Sequence, residues 1–307
     1  MTGLTKISFG SLCLATVGLA AATVLAIPQA RAGYCSGNCA LFYTGEPHNL
    51  DFSNSNVVGD IEIANTGGVV GSGSGTITGT VEFAAPNTGQ YMPNGINVAG
   101  GATFGNANVQ TDLNGLNSLS QSLGGEAGAR LALAAGGSVN ASSGILDSSG
   151  NEVFTATIGK SFVAGTTFTI TGTSSQSVVI NIPSTGGLPF NGSIVLEGGI
   201  TSDQVLFNFD SGDYATNTGG DTLTIENGLP TLDPKTTGTY LNPNGAIDII
   251  DSVIDGRVLG GDAMDFGVTN STIDAPSPAA IPEPTSLVLL GAGLVALGII
   301  RRRQSQS

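Results

Sequence analysis

Hydrolysis needs a nucleophile or a carboxylate pair beside a positioned proton acceptor, and this chain carries few groups that can serve. Its single histidine, His48, lies in Gly45-Glu46-Pro47-His48-Asn49, a turn-forming stretch that reads as a surface loop. No Gly-x-Ser-x-Gly element accompanies it, so a Ser or Cys nucleophile would have no evident base. Asp248, Asp251, Asp255, Asp262 and Asp265 lie close in sequence and could pair for glycoside hydrolysis, but their spacing within turns reads more simply as an acidic solvent face. A lyase acting on uronates needs clustered cations, and between residues 33 and 281 the only Lys and Arg are Arg130, Lys160, Lys235 and Arg257. The expectation is a protein without catalytic activity.

Ligand chemistry is thin as well. Asp210-Ser211-Gly212-Asp213 and Asn217-Thr218-Gly219-Gly220-Asp221 offer loop oxygens of the kind calcium takes, without the full EF-hand spacing, and Asp and Gly are ordinary turn formers. These loops read first as turns, calcium is kept as a candidate ligand, and no other cofactor is expected. Gly71-Ser72-Gly73-Ser74-Gly75 lacks the Lys and the following helix of a phosphate loop and reads as a turn. Cys35 and Cys39 are the only cysteines after residue 32. In an oxidising compartment an even pair reads as a disulfide closing a small loop, with stabilisation on the order of 2 kcal/mol. Two thiols with no nearby His supply too few ligands for a metal site.

The elements that would carry these groups are short. Gly accounts for 47 of 307 residues, charged residues for 10% and Trp for none, a composition too poor in Leu, Lys and Glu for a helical protein. From about Asp51 onward, apolar alternations such as Asp60–Ile63, Thr76–Thr78, Thr80–Phe83, Phe168–Ile170, Val178–Ile182, Gly192–Leu196, Gln204–Phe209 and Ala246–Ile250 are separated by Gly, Asn, Ser or Pro. Each suits a strand with one face buried, and strands this brief need stacked neighbours to complete a core. The expected fold is all-β, a β-solenoid, with a β-sandwich as the competitor. One segment differs: Leu113, Leu116, Leu119 and Leu123 recur near helical spacing between a capping Thr111-Asp112 and a terminating Gly124-Gly125. Its polar side has Asn, Ser and Gln without Lys or Arg, so it should pack along the solenoid rather than on a membrane.

The two ends carry the most specific signals. Lys6, the apolar stretch Ile7–Ile27, Pro28 and Ala30-Arg31-Ala32 form a secretory signal spanning 1–32, with signal peptidase expected to cut between Ala32 and Gly33. At the other end, residues 276–307 hold Pro282-Glu283-Pro284, the apolar run Leu287–Ile300 and the basic stop Arg301-Arg302-Arg303. Fourteen helical residues would span about 21 Å, short for a hydrocarbon core of about 30 Å. The arginines should stay in the cytoplasm and leave the body outside. This order resembles the PEP-CTERM sorting signal of Gram-negative bacteria, which implies an exosortase partner, transient residence in the inner membrane, and then the cell surface or exterior. Between the ends the net charge is −18, which repels phosphate backbones and argues against nucleic-acid binding.

The middle, residues 33–275, is also similar to a known family. Ser175–Ile182, Gly198-Gly199-Ile200, Asp203–Phe209, Leu241-Asn242-Pro243-Asn244-Gly245 and Ile254–Asp262 look like the choice-of-anchor A family, with the leucine helix in its expected place. The resemblance implies an adhesin-like extracellular domain with no catalytic residues, a role in adhesion or biofilm, and a glycan or matrix ligand. Its pattern is similar to β-solenoid ice-binding and adhesive domains that carry one long helix alongside. Thr167, Thr169, Thr171 and Thr173 alternate as a flat ice-binding row would, but no second Thr row of that length repeats them, so β-propensity is the preferred account. The alternatives kept open are ice binding and a polysaccharide-active β-helix enzyme.

Overall fold

The computed structural model describes residues 35, 38–45, 48–85, 89–183, 189–213, 219–228, 235–261 and 266–276. The apolar alternations become strands because each has one side to bury and a turn residue to end it. Before the helix come β1 (Cys39–Tyr43), β2 (Asn49–Ser53), β3 (Asn56–Val58), β4 (Asp60–Ile63) and β5 (Gly68–Ser72). Next are β6 (Gly75–Ile77), β7 (Val81–Ala84), β8 (Tyr91–Met92), β9 (Ile96–Val98) and β10 (Ala102–Asn106), then α1 (Ala107–Gly124). After it follow β11 (Ala129–Leu133), β12 (Gly137–Asn140), β13 (Ile145–Leu146), β14 (Asn151–Ile158), β15 (Thr167–Thr171), β16 (Ser177–Ile182) and β17 (Ser193–Glu197). The last are β18 (Val205–Phe209), β19 (Leu223–Ile225), β20 (Thr236–Asn242), β21 (Ile247–Ile250), β22 (Val253–Gly260), β23 (Phe266–Thr269) and β24 (Thr272–Asp274).

These strands stack as a three-sided solenoid. The first side is one parallel ladder, β10-β7-β4-β1-β22-β20-β18-β16-β14-β11. The second runs β19-β21-β23-β2-β5-β8. The third comprises β12-β15-β17 and, further along, β24, β3, β6 and β9, with the first residues of β22 joining it. Among the described residues only β13 runs antiparallel, on the start of β14. The all-β solenoid with one helix alongside is the expected fold; the expected terminal signal and anchor helices lie outside the described residues.

The winding is not a simple spiral. The chain enters in mid-stack at β1, winds outward to β10, returns along α1, restarts at β11 and winds inward until β22 pairs with β1. That seam sets Leu41 against Val258 and Phe42 against Leu259. The length of α1 fits the return. Its 18 residues span about 27 Å. The six spacings between the seven strands from β7 to β16, both of which it touches, cover about 29 Å.

Two apolar layers result. Inside the solenoid lie side chains such as Leu41, Ile63, Phe83, Ile180, Phe207 and Val258. Phe190 sits edge-on to Phe162, Phe207, Phe209 and Tyr240 there. The second layer lies between the ladder's outer surface and the helix: Phe42, Val153, Val179, Leu206, Leu241 and Leu259 meet Val109, Leu113, Leu116 and Leu123. Each such side chain contributes about 1.5–3 kcal/mol on burial. Leu119 is half-buried against this layer.

The helix starts earlier than Thr111-Asp112 suggests. Asn106 is the N-cap, its side chain accepting from the Asn108 N–H at 3.0 Å. That extra turn brings Val109 onto the buried stripe. Corners are built to match. At Gly256, φ is +155° and an added Cβ would lie 1.8 Å from the Gly238 carbonyl oxygen of the next coil, so only glycine lets adjacent rungs close there. At another corner the buried Ser252, Ser271 and Ser55 form a ladder, the Ser252 N–H donating to Ser271 Oγ and the Ser271 N–H to Ser55 Oγ, each at 3.0 Å. The second of these bonds ties the last coil to the first.

Candidate functional site

The structure scatters most residues that sequence spacing grouped together. Asp248 lies on β21, Asp251 at the following corner and Asp255 on β22, so these three occupy different sides of one coil rather than a single acidic face. Asp251 accepts from Asn270 Nδ2 at 3.1 Å, and Asp255 from Ser202 Oγ at 3.4 Å. His48 is exposed immediately before β2. The two oxygen-rich loops do adjoin, the Asp221 N–H donating to Ser211 Oγ at 2.9 Å, so that hydroxyl serves the backbone. Asn217, Thr218, Asp262 and Asp265 lie outside the described residues, as do Ala32, Gly33, Pro282, Glu283, Pro284, Arg301, Arg302 and Arg303.

Cys35 and Cys39 meet at the entry to β1, joined as a disulfide with their Cα atoms 5.3 Å apart. A Glu62 carboxylate oxygen and the two sulfurs lie within 4.8 Å of one another. With both sulfurs bonded together, the corner is a structural clasp that offers a metal one carboxylate and no thiolate. Burial raises the Asp112 carboxyl on α1 above the usual carboxylate range, against the pull of the Cys35 backbone N–H and a hydrogen bond with Glu62. Arg257 Nε donates to the Cys39 carbonyl at 3.0 Å across the seam. Burial lowers the Arg257 pKa, and the charge of Asp203 opposes that shift.

Under the helix lies a polar network that spacing did not reveal. Asn208 Nδ2 donates to the Ser120 carbonyl at 3.0 Å and to Asn181 Oδ1 at 2.9 Å, and Ser120 Oγ donates to Asn208 Oδ1 at 2.5 Å. Asn181 Nδ2 donates to the Leu123 carbonyl at 2.6 Å. The two asparagines are neighbours in the ladder and give the Ser120 and Leu123 carbonyls at the helix end a side-chain donor each; the Leu123 carbonyl also accepts from the Glu126 N–H at 3.0 Å. Gly124 lets Asp210 approach, since a Cβ there would overlap its carboxylate. The readable signal was one Asn at matched positions in two continuous apolar runs, Ile180-Asn181-Ile182 and Phe207-Asn208-Phe209.

The surface best arranged to meet a ligand is the outer side of β12-β15-β17. Phe168 and Ile170 point into the core, while Thr167, Thr169 and Thr171 point outward. Ser138 flanks Thr169 and Asn140 flanks Thr171 on one side; Val195 and Glu197 do so on the other. The Thr column thus has no Thr neighbour in this sheet, and Thr173 falls beyond the strand. At its end opens a groove of about 500 Å³ lined by Asn140, Ser142, Thr171, Thr173, Ser175 and Gln176, with Gly172 and Gly198. Its polar groups hold one another in place. Asn140 Oδ1 accepts from Ser142 N–H and Oγ at 3.0 and 2.7 Å, and Gln176 Oε1 accepts from Thr173 N–H at 2.9 Å. The lining is neutral and free of aromatic side chains.

Known proteins bear on the tail more than on the body. Residues 280–304 match the family model of the PEP-CTERM protein-sorting motif. The chain is therefore an exported protein whose tail is processed by an exosortase-type enzyme. No curated protein matches the sequence. Among solved structures, an ice-binding protein from the Antarctic ascomycete Antarctomyces psychrotrophicus is 13% identical, over 80% of this chain and 97% of that one, with a TM-score of 0.43. An ice-binding protein from an Antarctic bacterium of the Flavobacteriaceae is 17% identical over 79% of this chain and 46% of its own, with a TM-score of 0.44. A glycosylated ice-binding protein from an Arctic yeast is 14% identical over 82% and 96%, with a TM-score of 0.42. These are distant likenesses of shape. Among the described residues no helix is long and apolar enough to cross a membrane.

Proposed function

We propose that this chain is a non-enzymatic adhesive protein of the surface or extracellular matrix of a Gram-negative bacterium, a choice-of-anchor A-like domain that holds neutral glycans on the outer side of β12-β15-β17. The observation that carries the reading is the groove at the end of the Thr column. Hydroxyl and amide groups converge there on a rigid parallel sheet, a lining that exchanges hydrogen bonds with sugar hydroxyls without placing a charge on them. Lacking an aromatic platform, each site should bind weakly, and adhesion would come from many copies at one surface. The sorting tail supports display of this kind, because it delivers the protein outside the cell.

The test is a glycan and matrix-protein array probed with the exported mature protein, alongside Asn140→Ala/Gln176→Ala. Binding to neutral glycans that the double variant loses is the expected result. No binding, or binding unchanged by the substitutions, would overturn the assignment to this groove. Ice binding is the second reading, favoured by the column Thr167, Thr169 and Thr171. The flanking Asn140, Val195 and Glu197 interrupt the flat repeat that an ice lattice would match. Thermal hysteresis in the purified protein would reverse this preference, and reducing-sugar release would support the enzyme alternative.

A further inference from the structure

We infer that the solenoid associates head to tail with a second copy of itself, the β10 end of one molecule stacking on the β11 end of the next. The two ends differ in chemistry in a way the flanks do not. Strand β10 closes one end of the long ladder and β11 the other, so among the described residues each has one row of backbone N–H and C=O groups with no strand beyond it. Natural sheets usually blunt such edges with charge or proline. Here they carry apolar side chains: Phe104 and Met92 at the β10 end, 56% and 41% exposed, and Leu146 and Ile145 at the β11 end, 65% and 47% exposed. Among the described residues the other large exposed hydrophobics are Val58 and Val163, and Val163 lies in the turn between β14 and β15, one coil from the β11 end.

Charge differs between the ends. Residues 38–106, which wind from β1 out to the β10 end, contain five acids and no Lys or Arg. Residues 125–163 at the β11 end hold Glu126, Asp147 and Glu152 together with Arg130 and Lys160, two of the four cations between residues 33 and 281. Two β10 ends therefore repel each other more strongly than a β10 end repels a β11 end, and the exposed Arg130 on β11 gives the unlike contact a cation that the β10 end lacks.

Register agrees. One outward row runs unbroken through Arg130, Thr155, Asn181, Asn208, Leu241, Leu259, Phe42, Glu62, Glu82 and Thr103. Every rung of this ladder is parallel, so adding a second molecule by translation along the axis sets its β11 parallel to β10. Arg130 of the added copy then falls beside Thr103, two rungs or about 10 Å from Glu82. The first and last described strands are not at the ends of the stack: β1 lies in mid-ladder and β24 between β22 and β3. A contact between unlike ends does not close on itself and can propagate as a filament.

The experiment is sedimentation velocity on the exported mature protein across a wide concentration series, with Phe104→Asp and Leu146→Asp. The wild type should sediment as a concentration-dependent series of oligomers. Each variant alone should lose every species beyond monomer, because each destroys one partner of the same contact. Mixed in equal amounts, the two should recover a single 1:1 dimer and nothing larger, since each still owns the end the other lacks. A monomeric wild type, a mixture that stays monomeric, or loss of association in only one variant would each overturn head-to-tail stacking. Met92→Asp and Arg130→Glu provide a second pair with the same expectation, should either first substitution disturb the terminal coil. The Asn140→Ala/Gln176→Ala variant leaves Phe104 and Leu146 in place, so the glycan array and the sedimentation series are read on separate substitutions and either can fail without the other.

Discussion

On the ladder beneath α1, the side chains that point away from the solenoid core are Phe42, Val179, Leu206, Leu241 and Leu259, and all are buried. On β12-β15-β17 the equivalent outward positions hold Ser138, Asn140, Thr167, Thr169 and Thr171, half-buried or exposed. Both surfaces belong to parallel sheets of one solenoid and share its core. The difference is the cover. Where a helix lies over a sheet, both faces must be apolar and every polar group beneath it needs a partner; where nothing covers it, alternation returns and the outward residues are free to serve a ligand.

This contrast can be broken most forcefully at Leu116, buried against the ladder in the middle of the helix stripe. Leu116→Ala should cost about 2–5 kcal/mol in chemical denaturation. A cost below about 1 kcal/mol would mean that the helix is only loosely docked.

Next in size is Asn208→Leu. It removes the Asn208 acceptor of Ser120 Oγ and the donor to Asn181 Oδ1 beneath the helix and should cost about 1–3 kcal/mol. Adding Ser120→Ala should recover part of that loss, because no hydroxyl then faces the new leucine. If the double variant is no more stable than the single one, Ser120 is not where the cost arises.

Asp112 probes the rim of the covered region through pH. Its carboxyl binds a proton more tightly in the folded chain than at its ordinary value of 3.8. Its contribution to stability is therefore fully present below that value and is lost as pH rises through the elevated folded value. Asp112→Asn should flatten this part of the stability curve and leave the protein at least as stable at neutral pH. A steeper fall of the variant with rising pH, in thermal melts across the acid range, would reverse the assigned sign.

The smallest effect on stability is expected on the open sheet. Thr169→Ala and Thr171→Ala should each change it by no more than about 0.5 kcal/mol, while Thr171→Ala weakens any glycan captured in the groove it lines. A large loss of stability from either substitution would show that this surface is covered in the folded protein, and the comparison would fail.

Much of the architecture was legible in the chain. Runs such as Val178–Ile182 and Gln204–Phe209, punctuated by Gly, Asn and Ser, specify short strands that need stacked neighbours, and the Leu113, Leu116 and Leu123 spacing specifies a helix with one buried stripe. These are local patterns with periods of two and of about three and a half, so a sequence displays them directly. The tail motif was equally plain, because its order of Pro-Glu-Pro, apolar run and arginines is contiguous.

Tertiary structure alone decided which coils meet. Cys39 and Arg257 are 218 positions apart and touch only because the chain begins in mid-stack, leaves along α1 and winds back to its own start. No short-range pattern encodes a pairing at that separation; it follows from closing one continuous ladder with a helix about as long as the rungs it crosses. The same closure sent Asp248, Asp251 and Asp255 to different sides of one coil, although spacing had grouped them. It also brought Asn140 and Ser142 beside Thr171 and Gln176, which spacing had not, because a coil places residues about one circuit apart in contact while turning sequence neighbours onto different faces.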